Sequence, residues 1–161
     1  MNTRYQGFAL IASAIVSLIT YFVDAGPVIN IVATLLFIYG ISAVHPIQSK
    51  GSTLGLVGMG LIILAAVIAI GFSAGLVRVG DTNSGILIST SAYSALIGKV
   101  ITGWLTINKK SFPAWVGVAL IAEGVLNVIP FGSLASVMSI VTTLAGAAAQ
   151  LGYGVPMSQK K

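Results

Sequence analysis

The sequence predicts an all-α fold, a polytopic integral membrane protein built as a six-transmembrane-helix bundle. Three observations carry that expectation. Of 161 residues, 57% are hydrophobic and only 7% charged, where soluble domains carry about 45–50% apolar and about 25% charged residues. The mean hydropathy is +1.03, which also excludes a disordered chain, since disorder needs low hydrophobicity and high charge. The apolar residues fall into runs near the length of about 20 that crosses a bilayer, and short polar connectors separate them.

The first span is placed at 5–23, a stretch of 19 uncharged residues from Tyr5 to Val23. It stops at Asp24-Ala25-Gly26-Pro27, and Pro27 suits a helix start because its φ is preset and its missing N–H would be unbonded there anyway. A second apolar run follows at once, so the first reads as a retained helix rather than a cleaved leader. That second span, 27–44, closes before His45-Pro46, because the residue preceding a proline is driven from the helical region. The third, 51–77, has 27 uncharged residues between Lys50 and Arg78 and is long enough to cross with tilt. The polar hairpin from Arg78 to Ser84 leads into the fourth span, 85–107. Asn108-Lys109-Lys110-Ser111-Phe112-Pro113 ends it and starts the fifth, 113–129. Pro130-Phe131-Gly132-Ser133 interrupts an uncharged run of 36 residues and separates the fifth span from the sixth, 133–153. A broken or re-entrant segment is the alternative to a full loop at that turn.

The charges orient the bundle. With the N-terminus inside, Arg4, Lys50, Lys109, Lys110, Lys160 and Lys161 fall on the cytoplasmic side, and only Arg78 falls outside, with Asp81 and Asp24. Such a bias follows the positive-inside rule, so both termini are expected in the cytoplasm. The whole chain, 1–161, reads as a single transmembrane domain. Short loops and the lack of a targeting segment suggest a prokaryotic plasma (inner) membrane. Three helices on each side of the Arg78–Ser84 hairpin would permit an inverted repeat, although the two halves do not align by eye.

Many functions are struck out. There is no cysteine, so disulfide and thiol chemistry are excluded. One histidine and three acids support no dedicated metal site. The eight basic residues form no clustered patch, so no nucleic-acid partner is expected. No HExxH or phosphate-binding glycine loop is present, and neither an enzyme nor a cofactor is expected. A Ser–Lys dyad of Lys99 with Ser91 or Ser94 would place the hydroxyl poorly. A retinal Schiff base on Lys99, with Glu123 as counter-ion, has suitable charges but too few helices and aromatic residues around it.

What remains is one pair of charges inside the membrane. Lys99 lies nine residues before Asn108, about 14 Å deep at about 1.5 Å per residue. Glu123 lies ten residues after Pro113, about 15 Å from the same face. Their helices are consecutive and antiparallel, so the charges meet at one depth near the midplane. Either alone would cost at least ~2.5 kcal/mol there, and a partner offsets that. Lys99 shares a face with the small and polar Ser91, Ala92, Ala95, Thr102, Gly103 and Thr106, residues that favour a helix–helix interior. Ala119, Glu123 and Asn127 share a face at i, i+4 spacing, so Asn127 is expected to serve a spare valence of the carboxylate.

Softer polar stripes run along the first helix (Gln6, Ser13, Ser17, Thr20, Asp24) and the second (Asn30, Thr34, Ile41, His45). Interhelical hydrogen bonding accounts for both more simply than a wet interior does. The third helix carries Gly55, Gly58 and Gly60, then Gly71 and Gly75 at GxxxG spacing, a helix-packing signature. The sixth carries Ala145-Gly146-Ala147-Ala148-Ala149, of the same character. The first functional expectation is therefore a non-catalytic subunit or scaffold that packs in the lipid bilayer as a homo-oligomer or against other membrane proteins. The alternative is a small channel or proton-coupled transporter centred on Lys99, Glu123 and Asn127.

Overall fold

A computed structural model describes residues 3–23, 26–48 and 52–159. The expectations placed on Asp24, Lys50, Lys160 and Lys161 lie outside the described residues. The chain forms seven α-helices among the described residues: α1 (Thr3–Phe22), α2 (Gly26–Ile41), α3 (Val44–Gln48), α4 (Thr53–Ser73), α5 (Ser84–Lys109), α6 (Ala114–Leu126) and α7 (Ala135–Ser158). A 3-10 turn over Gly132–Leu134 precedes α7. Five segments are long and apolar enough to cross a membrane, α2 and α3 counting together as one, and α6 is a sixth, shorter apolar helix. This is a helical membrane bundle.

Counting α2 and α3 as one span, each span packs on its neighbours in chain order, and α7 closes on α1. The result is a ring of six rods, with α2 against α4 the least extensive of its seams. One end of the ring, called the termini face here, carries the start of α1 and the end of α7. The other, the hairpin face, carries residues 78–84. In the hairpin the Asp81 carboxylate accepts the Arg78 backbone N–H at 2.8 Å, and Ser84 Oγ donates to Asp81 O at 2.8 Å. Asp81 thus holds the turn as an acceptor for backbone, the ordinary work of Asp at such positions.

The helix ends differ from the expected ones for local reasons. The second span breaks at Ile41 rather than at Val44, because Pro46 can donate no bond to Ser42 O and its ring crowds that carbonyl. Pro46 is tolerated inside the short α3 because it falls in the first turn, where N–H groups lack helical partners. The third span ends at Ser73, and Gly75 (φ 71°) turns the chain out with Leu76 N–H bonded to Gly71 O at 3.0 Å, a glycine stop. The fifth ends at Leu126, with the Asn127 N–H on Glu123 O at 3.2 Å. The sixth runs on through Pro156 to Ser158. There Met157 is fully buried, and Gly154 lies close against Gly7 and Ile11 of α1, so tertiary packing outweighs the proline.

Glycines set the closest seams, and they are not the pair singled out by spacing. A Cβ on Gly98 would lie 2.7 Å from Gly58 O, and one on Gly103 would lie 2.6 Å from Gly117 O. A Cβ on Gly154 would lie 2.8 Å from Gly7 O. Such separations are shorter than real Cβ contacts, so α4–α5, α5–α6 and α1–α7 pack backbone to backbone, as small residues permit in membranes. Gly71 and Gly75, by contrast, have nothing within 4 Å of a notional Cβ. Within this chain they terminate a helix and pack nothing.

The largest buried apolar cluster lies toward one end of the ring, while Ile62, Ala65 and Ala66 continue the buried seam of α4 toward the other. Leu10, Ile41, Met59, Val116, Leu120 and Met157 form a continuous buried cluster, and all lie in the half nearer the termini face. Phe112 and Tyr153 join it edge to face at 4.9 Å between ring centroids, a favoured aromatic geometry.

Candidate functional site: a charge pair at the floor of a polar vestibule

Lys99 Nζ lies 2.6 Å from Glu123 Oε1, across the α5–α6 seam. The backbones come close enough because Gly124 faces Lys99, where a Cβ would meet Lys99 Cβ at 3.1 Å. On the other side Glu123 rests on α7 at Gly146, where a Cβ would lie 2.7 Å from the carboxylate carbon. Glycines on two helices thus make room for one carboxylate. Lys99 is buried, while the Glu123 side chain keeps 18% of its surface open. The carboxylate therefore faces a space beyond its partner.

That space is a chain of three adjoining cavities. The innermost, of about 170 Å³, holds both charges together with Ser13, Ser17, Thr34 and Gln150. The next, of about 380 Å³, shares Ser17, Glu123 and Gln150 with it and adds Thr20, Tyr21, Asn127, Thr142 and Thr143. The outermost, of about 400 Å³, shares Asn127, Thr142 and Thr143 and reaches Pro130 and Ser139 at the hairpin face. Polar side chains of α7 (Ser139, Thr142, Thr143 and Gln150) thus run from that face down to the charge pair, with Leu126, Ile129, Phe131 and Met138 beside them in the outermost cavity, between α6 and α7.

Below the pair, the ring is filled. Gln48 Nε2 donates to Thr102 O at 2.9 Å and Thr106 Oγ1 at 2.6 Å, and Thr106 Oγ1 meets the Tyr153 hydroxyl at 2.5 Å. This cross-ring cluster joins α3, α5 and α7. Gln6 Nε2 adds bonds to Tyr39 O at 3.3 Å and Ser42 Oγ at 3.2 Å. With the apolar cluster around them, these groups seal the termini half.

The residues singled out from sequence divide accordingly. Lys99 and Glu123 meet. Asn127 lines the vestibule one turn above Glu123, but among the described residues its side chain makes no hydrogen bond to the carboxylate; its backbone N–H ends α6 on Glu123 O. Ser13, Ser17 and Thr20 of the first stripe and Thr34 of the second line the cavities, while Gln6 belongs to the seal. Ser91 turns away from the site to donate to Ala65 O on α4 at 3.3 Å. Gly71 and Gly75 lie outside it. Thr142, Thr143 and Gln150 were not singled out, although Thr142, Gly146 and Gln150 recur at i, i+4, i+8 and so share a face. Among the described residues, no three metal-ligating side chains come together.

Comparison of the chain with protein-family models, with curated proteins and with solved structures finds no match.

Proposed function

We propose that this chain spans the membrane six times as a small-solute transporter, with the Lys99–Glu123 pair as its central site and the vestibule as its access route. The observation that carries this reading is the asymmetry of the ring. The largest buried side chains, Leu10, Ile41, Met59, Val116, Leu120 and Met157, cluster toward the termini face, and toward the hairpin face the space between α1, α6 and α7 opens into a cavity lined by hydroxyls, amides and a carboxylate. A bundle serving only as a scaffold has no need of that difference.

The length of α6 supports the same reading. Its 13 residues extend about 20 Å, against about 30 Å of hydrocarbon. Irregular backbone from Asn127 to Phe131 therefore lies within the membrane's depth, and such backbone is tolerated only against protein or water. The outer cavity lies beside it. Water in the vestibule satisfies those groups and also the open edge of Glu123. With the termini in the cytoplasm, as the basic residues argue, the vestibule opens outward and the seal closes the inner side. Transport then requires the Gln48–Thr106–Tyr153 cluster to part while the vestibule narrows.

The scaffold reading keeps one support, the outward-facing Gly60 and Gly71, which are open to a second chain. The two readings separate in proteoliposomes. Wild-type protein is expected to raise the flux of protons or small solutes above that of empty vesicles, and Glu123→Gln to lower it at least tenfold. Equal flux in the two proteins, at equal reconstitution, would remove the transport reading.

A further inference from the structure

Resting on the transport reading, the chemistry of the middle cavity narrows the ligand: we infer that it receives a primary ammonium group, bound by the free edge of Glu123. Charge is the first reason. This cavity is lined by Glu123 but not by Lys99, whose ammonium reaches only the innermost cavity. Lys99 occupies one carboxylate oxygen, and a carboxylate has about four lone-pair sites. Lys99 thus neutralises the carboxylate from one side, and the edge of Glu123 turned to the middle cavity keeps lone pairs that no cation lining that cavity occupies.

Hydrogen-bond direction is the second reason. Thr20 Oγ1 donates to Ser17 O at 3.1 Å, Thr142 Oγ1 to Met138 O at 2.8 Å and Thr143 Oγ1 to Ser139 O at 2.9 Å. Each hydroxyl has committed its only hydrogen to its own helix, a common arrangement for Ser and Thr in helices. What they turn to the cavity is oxygen lone pairs. Gln150 Oε1 adds a buried acceptor with no partner. The hydrogens left for a ligand are those of Ser17, Tyr21 and the amides of Asn127 and Gln150. Acceptors outweigh donors around a carboxylate, and an ammonium carries three donors and no acceptor.

Shape agrees. The cavity, of about 380 Å³, is larger than a bare alkali ion needs, and the Tyr21 ring on its wall offers a cation a polarisable surface. The ammonium belongs either to a simple amine or to an amino acid. In the second case the ligand carboxylate reaches down to Lys99, leaving neither protein charge unpaired.

The test is isothermal titration of the full chain in nanodiscs with ethylammonium chloride, glycine, sodium acetate and sodium chloride at constant ionic strength. Saturable binding of ethylammonium, glycine or both is expected, with none for sodium chloride or sodium acetate. Ethylammonium alone identifies a simple amine, and glycine alone identifies a zwitterion held by both charges. Binding should vanish in Glu123→Gln and weaken about tenfold in Thr143→Val, which removes a lone-pair donor to the ligand without touching the charge pair. Acetate or sodium binding in place of ammonium, no binding by any probe, or full affinity in Thr143→Val and Glu123→Gln would overturn the inference. Its failure is distinct from failure of transport: flux that depends on Glu123 without ammonium binding leaves the conduit standing. Ammonium binding without flux of any solute leaves a ligand site and removes the conduit.

Discussion

Lys99→Ala and Glu123→Ala are each expected to lower stability by about 3–5 kcal/mol, because each leaves one charge buried and unpaired. The double variant should lose much less than the sum of the two, since it removes both charges and leaves no uncompensated one. The geometry makes the coupling direct: 2.6 Å separates the charged atoms, and Lys99 is buried. Glu123 is the more exposed partner, with 18% of its side chain open, so Lys99→Ala, which leaves the carboxylate facing the cavity, should be the milder single change. The measurement is a double-mutant cycle on reversible unfolding in mixed detergent micelles. Strictly additive losses would contradict direct pairing.

The second large effect concerns glycines. Gly98→Val and Gly117→Val should each cost at least about 1–3 kcal/mol, the usual range for overpacking a tight contact. Both would drive a side chain into the backbone of the facing helix, which cannot rotate aside as a side chain would. Gly71→Ala meets open space and should be neutral, or stabilising by up to about 1 kcal/mol from helix propensity. Gly75→Ala should cost about 1–2 kcal/mol because the position is left-handed, with φ of 71°. Thermal unfolding of the four variants in one detergent ranks them. Severe loss at Gly71 with tolerance at Gly98 would restore the packing role that the GxxxG spacing suggested.

That inversion shows where the sequence was legible and where it was not. A lysine and a glutamate within apolar runs, at equal depth from one turn, can avoid a large desolvation penalty only by meeting, so Lys99 and Glu123 were readable from arithmetic. The expected spans at 85–107 and 27–44 likewise overlap α5 and α2, since prolines and charges mark their ends. Glycine spacing is ambiguous in a way charge is not. Gly71 and Gly75 satisfy GxxxG, yet the same residues serve a helix stop, while Gly58, named with its glycine neighbours as packing material, does pack, against a Gly98 that the sequence did not mark as its partner.

The vestibule was hidden for a related reason. Thr142, Thr143 and Gln150 sit in the uncharged stretch after Gly124, where single polar residues are unremarkable. They gain meaning only when α7 places them opposite Ser17, Thr20 and Glu123. The early end of α6 was also invisible. Asn127 reads as one more turn of helix along the Glu123 face, but Pro130 three residues on biases the chain out of helix, and Asn127 becomes the cap.

The central claim is that water reaches the middle of this ring from the hairpin face and is stopped there. Because the chain has no cysteine, single cysteines report this without background. Thr82→Cys on the hairpin, Thr143→Cys in the vestibule, Leu144→Cys toward lipid and Thr106→Cys in the seal are treated with a membrane-impermeant charged thiol reagent in vesicles of each orientation. The account predicts that Thr143→Cys is modified from the same side as Thr82→Cys, while Leu144→Cys and Thr106→Cys are protected from that side. Thr143→Cys as unreactive as Leu144→Cys would mean that the vestibule is dry, and would contradict the transporter reading at its base.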